Sequence, residues 1–96
     1  MITIRYNPRR QELRLDGHAN YAPRGQDIIC AAVSANLYTL LANLPAKAAR
    51  TAVWRPGKVR ICAAGRRAAR TFSMVLRGLQ VIADQYPEYV HIQTIE

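Results

Sequence analysis

Apolar and polar residues alternate over Ile2-Thr3-Ile4-Arg5-Tyr6 and again over Leu13-Arg14-Leu15-Asp16. A period of two is that of a strand with one buried side. Asn7-Pro8-Arg9-Arg10 between them is turn composition, so the first sixteen residues read as a hairpin. Gly17 to Gln26, with Gly17, Asn20, Pro23 and Gly25, reads as a loop. Loops of that length in small domains tend to carry function. At Asp27 the period changes: Ile29, Val33, Leu37, Leu40, Leu41 and Leu44 recur at three- and four-residue steps. Asp27 is a good N-cap for this helix, and Pro45 marks its end or lies just past it.

Thr51 to Cys62 reads as a second hairpin around Pro56-Gly57, with Val59 and Ile61 alternating with Lys58 and Arg60. Ala63 to Arg67 leads into a second helix with the stripe Ala69, Phe72, Leu76, Leu79 and Ala83; Gly78 weakens it locally and Pro87 ends it. Val90-His91-Ile92-Gln93 reads as a last strand. The expected fold is α+β, two-layer, in the order ββαββαβ, with a mostly antiparallel sheet and two helices on one face. There is no internal repeat, and residues 1–96 read as a single domain.

Composition narrows the classes. Half of the residues are apolar or aromatic, enough for a core even at this length. No apolar run is long enough to span a bilayer, and Met1 to Arg10 lacks the apolar stretch of a secretion signal. The expectation is therefore a soluble cytoplasmic protein with no membrane partner. In a reducing compartment the two cysteines, Cys30 and Cys62, stay thiols rather than a disulfide scaffold. The formal net charge of +8 favours anionic partners such as RNA or the ribosome. The arginines are scattered, however; Arg9-Arg10 and Arg66-Arg67-Arg70 are the clusters, and neither is interleaved with several aromatics. Charge alone is equally the mark of a solvated, arginine-rich surface.

The candidate chemistry lies where loop meets helix. If Asp27 is the N-cap, Cys30 falls in the first turn, where unpaired N–H groups and the helix dipole favour an anionic sulfur. The same N–H groups could donate to an oxyanion in acyl transfer. Asp27, Cys30 and Ser34 share one stripe, apart from the leucine face. His18 closes the second strand, Gly17 lets the chain bend beside it, and the loop returns the chain to the helix start. His is the natural general base for a thiol. The bland readings are a small apolar Cys30, a solvated His18 and a core Cys62. A zinc site from His18, Cys30, Cys62 and His91 is conceivable but lacks the close ligand pairs of common zinc motifs, so no metal and no cofactor is implied.

Gly17-His18-Ala19, followed by Gly25-Gln26-Asp27-Ile28-Ile29-Cys30-Ala31-Ala32-Val33-Ser34, resembles the double signature of the bacterial ribosomal-processing cysteine protease family, Prp. That signature is Gly-His-Ala and then Gly-x-Asp-Ile-Val-Cys-Ala-Ala-Val-Ser; Ile29 stands for the Val. More loosely, Gln85-Tyr86-Pro87-Glu88-Tyr89-Val90 resembles the family's C-terminal segment. The resemblance implies a cysteine endopeptidase that removes a short N-terminal extension from large-subunit ribosomal protein L-twenty-seven, cutting after two aromatics and before a small residue. It implies His18 and Cys30 as the catalytic dyad, with Gly17, Asp27 and Ser34 supporting the site. It also implies a homodimer and a loop, Ala19 to Gln26, that moves over the site. The strong positive charge and the stretch from Pro45 to Ala52 depart from the family pattern.

Two other readings stay open on the residues. One is a non-enzymatic ribosome- or RNA-associated module that uses Arg66-Arg67-Arg70 and Arg9-Arg10. The other is a redox-sensing thiol at Cys30, which no Cys-x-x-Cys supports.

Overall fold

The computed structural model describes residues 1–23 and 25–95. Arg24, in the loop between His18 and Cys30, lies outside them. Strands β1 (Ile2–Asn7) and β2 (Glu12–Asp16) form the first hairpin. Helix α1 (Ile28–Ala42) follows, then a short α2 (Ala46–Thr51). The second hairpin is β3 (Val53–Arg55) and β4 (Lys58–Cys62), followed by α3 (Arg66–Gln85) and β5 (Val90–Thr94).

The strands form one sheet in the order β3-β4-β2-β1-β5. All pairs are antiparallel except β1 with β5, which runs parallel after the crossover through α3. The alternation predicted from the sequence is realised: Ile2, Ile4 and Tyr6, Leu13 and Leu15, Val59 and Ile61 are buried on one side of the sheet. Against them pack Ile29, Val33, Leu37 and Leu40 of α1 and the inner stripe of α3 in one continuous core. Phe72, fully buried, sets its ring 5.1 Å from that of Tyr6.

Two expectations change. Among the described residues the fold has three helices, because Pro45 caps a new helix rather than only closing the old one. Pro45 occupies the N-cap, where its missing N–H costs nothing, and Ala48 carries α2 into the core. Thr51 therefore ends a helix, and the second hairpin starts two residues later. The buried stripe of α3 is Ala68, Phe72, Val75, Leu79 and Ala83, with Ala69 and Leu76 only half-buried at its flank. Steps of three and four describe both sets, so spacing alone leaves the helix free to roll by about one residue.

Gly78 has a packing reason. A Cβ there would come 2.9 Å from Asn36 Oδ1, so the missing side chain lets α3 lie close to α1. Among the described residues no helix is long and apolar enough to cross a membrane.

Candidate active site

Asp27 builds the site from the backbone outward. Its Oδ1 accepts the N–H of Ile29 at 3.1 Å and of Cys30 at 2.9 Å, which caps α1 as the sequence predicted. Its Oδ2 accepts the Tyr21 N–H at 3.0 Å, so one carboxylate ties the loop to the helix start. Burial alone would raise the Asp27 pKa. The N–H groups of Cys30 and Tyr21, the Cys30 thiol and the Ile29 N–H outweigh it and hold the carboxyl below its ordinary value.

Cys30 is half-buried, and its sulfur accepts the Ala19 N–H at 3.5 Å. The peptide that joins His18 to Ala19 therefore lies against the sulfur. The exposed His18 ring stands over Gly57, where a Cβ would come 2.6 Å from Nε2. The Gly57 carbonyl accepts the Gly17 N–H at 2.9 Å, which pins the end of β2 to the tip of the second hairpin. Gly17 itself has φ of +97° and no room for a side chain against the Met1 carbonyl. Only glycine suits both demands.

The predicted residues meet in one place. His18, Asp27, Cys30 and Ser34 line a cleft of about 620 Å³, together with Pro56. Deeper in, His18, Cys30 and Ser34 also border a pocket of about 190 Å³ whose other walls include Leu15, Val33, Leu37 and Trp54. Both cavities are lined mainly by apolar surface, with His18 and Ser34 as polar groups common to the two, a pattern suited to an extended chain that buries apolar side chains. Gly17 borders only the inner pocket. Among the described residues no hydrogen bond joins Cys30 Sγ to the His18 ring, and none holds that ring from behind. Catalytic hydrogen bonds often tighten only when substrate is bound.

The family model described as "Cysteine protease Prp" matches residues 1–91. The chain belongs to the Prp family of cysteine proteases. Two solved structures of the essential ribosomal processing protease Prp from S. aureus share its fold. The one with a covalently linked product peptide is 22% identical with a TM-score of 0.83, over 99% of this chain and 100% of that one. The one with a substrate peptide is 23% identical with a TM-score of 0.76, over the same shares. SMU.848 from Streptococcus mutans is 26% identical with a TM-score of 0.66, over 98% of this chain and 93% of that one. No curated protein matches.

For a Prp protease, two features were not legible in the motif. Gly57 lies under the His18 ring and Pro56 lines the cleft with it, although the sequence marked them only as a turn. Of the first-turn N–H groups, expected to hold an oxyanion, those nearest the thiol already have partners: Cys30 N–H on Asp27 Oδ1 and Ala31 N–H on the Asp27 carbonyl. The Ala19 N–H, aimed at the sulfur, is a donor that the helix reading overlooked.

Cys62 is neither at the site nor in the core. It is half-buried on the far side of the sheet, and its thiol donates to Glu12 Oε2 at 3.3 Å. Burial, and then the Glu12 carboxylate, push its pKa up, which keeps the thiol protonated. Cys62 thus lies apart from His18 and Cys30, and among the described residues no three His, Cys, Asp or Glu group as metal ligands.

Proposed function

We propose that this protease uses a Cys30/His18 dyad to remove a short N-terminal extension from ribosomal protein L-twenty-seven. The observation that carries the dyad is the seating of Cys30 Sγ against the Ala19 N–H, with His18 on the wall of the same cleft. Cys30 sulfur attacks the scissile carbonyl carbon while its proton passes to His18. The carbonyl oxygen becomes an oxyanion, and the Ala19 N–H, which rests on the sulfur in the free protein, turns to it as the sulfur's lone pair goes into the C–S bond. The C–N bond then breaks, and His18 gives its proton to the leaving amine. Water, deprotonated by His18, attacks the thioester; the carboxylate product leaves and the thiol is restored. The S. aureus relative with a covalently linked product peptide is consistent with such an intermediate.

Asp27 acts through structure, as helix cap and loop latch. Its negative charge works against an anionic sulfur beside it, so activation falls to His18. Ser34, half-buried in the cleft with no hydrogen bond from its hydroxyl among the described residues, is suited to hold substrate backbone. Gly17 supplies the bend that brings His18 to the cleft. The apolar inner pocket suits an aromatic side chain beside the scissile bond. We place the reaction in the cytoplasm, where the thiol stays reduced and the substrate is made, and treat residues 1–96 as one domain acting as a homodimer.

The test is cleavage of a peptide with an extension ending in two aromatics and a small residue, read by mass spectrometry. A single cut after the aromatic pair is expected, lost in both Cys30→Ala and His18→Ala. Retained cleavage in either variant would remove that residue from the dyad, and cleavage elsewhere would reassign the substrate.

A further inference from the structure

The side of the sheet away from the helices is a separate surface, and its charge is organised. The pairing register sets Arg60, Arg14 and Arg5 directly opposite one another on β4, β2 and β1. In the next row along, Lys58 lies between Arg55 of β3 and Asp16 of β2. Like charges in direct cross-strand register destabilise a sheet, so three arginines in one row are a cost to the free protein.

Glu12 offsets part of that cost. Buried beneath the row, it accepts Arg14 Nε at 2.9 Å and Arg60 Nε at 2.7 Å. Only the Nε atoms are so engaged among the described residues, and both arginine side chains stay about half exposed, at 53% and 49%. Glu12 thereby orients two guanidinium forks and leaves their outer N–H groups to solvent. Arg5 meets Asp16 at 3.5 Å in an exposed pair of little strength. Arg10 extends the patch, lining with Arg5, Arg14, Glu12 and Asp16 a shallow depression of about 240 Å³.

We infer that this open sheet face binds the phosphate backbone of duplex RNA. Planar, oriented arginine forks suit phosphate better than point charges do. Among the described residues the strands turn no Phe, Tyr or Trp to this face, and His91 on β5 is a single imidazole at its edge, so the face lacks the run of aromatics on which successive single-stranded bases stack. It also lacks the exposed leucines or aromatics that a lipid-surface binder inserts. Binding is therefore through backbone phosphates, without sequence preference. The face is distinct from the cleft, and neither arginine cluster conspicuous in the sequence forms its centre.

The test is fluorescence anisotropy with a labelled RNA duplex of arbitrary sequence, at 50 to 200 mM salt. Two triple variants remove equal charge: Arg5→Gln/Arg10→Gln/Lys58→Gln on the face, and Arg66→Gln/Arg67→Gln/Arg70→Gln on α3. Both leave Glu12 its two arginine partners and the cleft untouched, so peptide cleavage reports folding and the protease reading separately. We expect steep salt dependence, and a loss of roughly a hundredfold at 0.1 M salt in the face triple, from about three lost phosphate contacts. The α3 triple should lose much less, and Asp16→Asn should tighten binding. No binding at 50 mM salt, equal loss in the two triples, or binding to anionic phosphatidylserine vesicles in place of RNA would overturn the assignment.

Discussion

At the scale of single residues, the site depends on where two glycines let other groups approach. Gly57 matters because the space its Cβ would take is occupied by His18. Gly57→Ala must push the imidazole aside and also holds alanine at φ of +71°. The expected stability cost is about 1 kcal/mol. The expected loss of kcat is larger, about 10- to 100-fold, because a displacement near 1 Å can cost that much. Steady-state kinetics alongside a thermal melt would check this: a fall in melting temperature with unchanged kcat would mean that the ring needs no support from Gly57. Gly17 was legible as a bend from its type. Gly57 was legible only as a hairpin tip, because its partner lies 39 positions away in sequence.

At the scale of elements, Asp27 couples the loop to α1 through two oxygens with separate tasks. Asp27→Asn keeps an oxygen to cap the helix but replaces the acceptor of the Tyr21 N–H with a donor. Asp27→Ala loses both. The alanine variant should lose about 1 kcal/mol or somewhat more, and the asparagine variant clearly less. In both, hydrogen exchange at the Tyr21 amide should accelerate. A Tyr21 amide equally protected in the asparagine variant would show that the loop is held by other contacts, such as the Tyr21 ring against Tyr86 and Tyr89. The cap itself was readable, since it is local: an Asp three residues before Cys30 in an apolar helix start. The latch to Tyr21 required knowing how the loop turns back.

At the scale of the whole molecule, Glu12 ties β2 of the first hairpin to β4 of the second. Burial alone would raise its pKa, but Arg60, Cys62 and Arg14 outweigh that and lower it from 4.5 to about 2. A depressed carboxyl contributes stability that is fully present above its unfolded pKa and is lost as pH falls through the folded value. The contribution should thus be intact at neutral pH and disappear progressively between about pH 5 and 2, amounting to about 3 kcal/mol. Urea unfolding across that range, compared with Glu12→Gln, would read it. A mutant with the same slope of stability against pH as the wild type would assign the acid sensitivity elsewhere.

The chain's local patterns determined most of the architecture by themselves. Period-two alternation named four of the strands, period 3.6 named α1 and α3, and Asp27 named a helix start, because each rests on contacts within a few residues. The chemistry-bearing residue types were equally visible, and the structure brings His18, Cys30, Asp27 and Ser34 to one cleft. Tertiary structure alone decided what depends on distant partners. A six-residue helix such as α2 has too few turns to show a stripe, and it is held by packing Ala48 under the fold. The parallel seat of β5 beside β1 follows from the α3 crossover rather than from any property of Val90 to Thr94. Glu12 looked like an ordinary polar strand residue until the register placed it between Arg14, Arg60 and Cys62, because charge burial is a property of neighbours that the linear order does not contain.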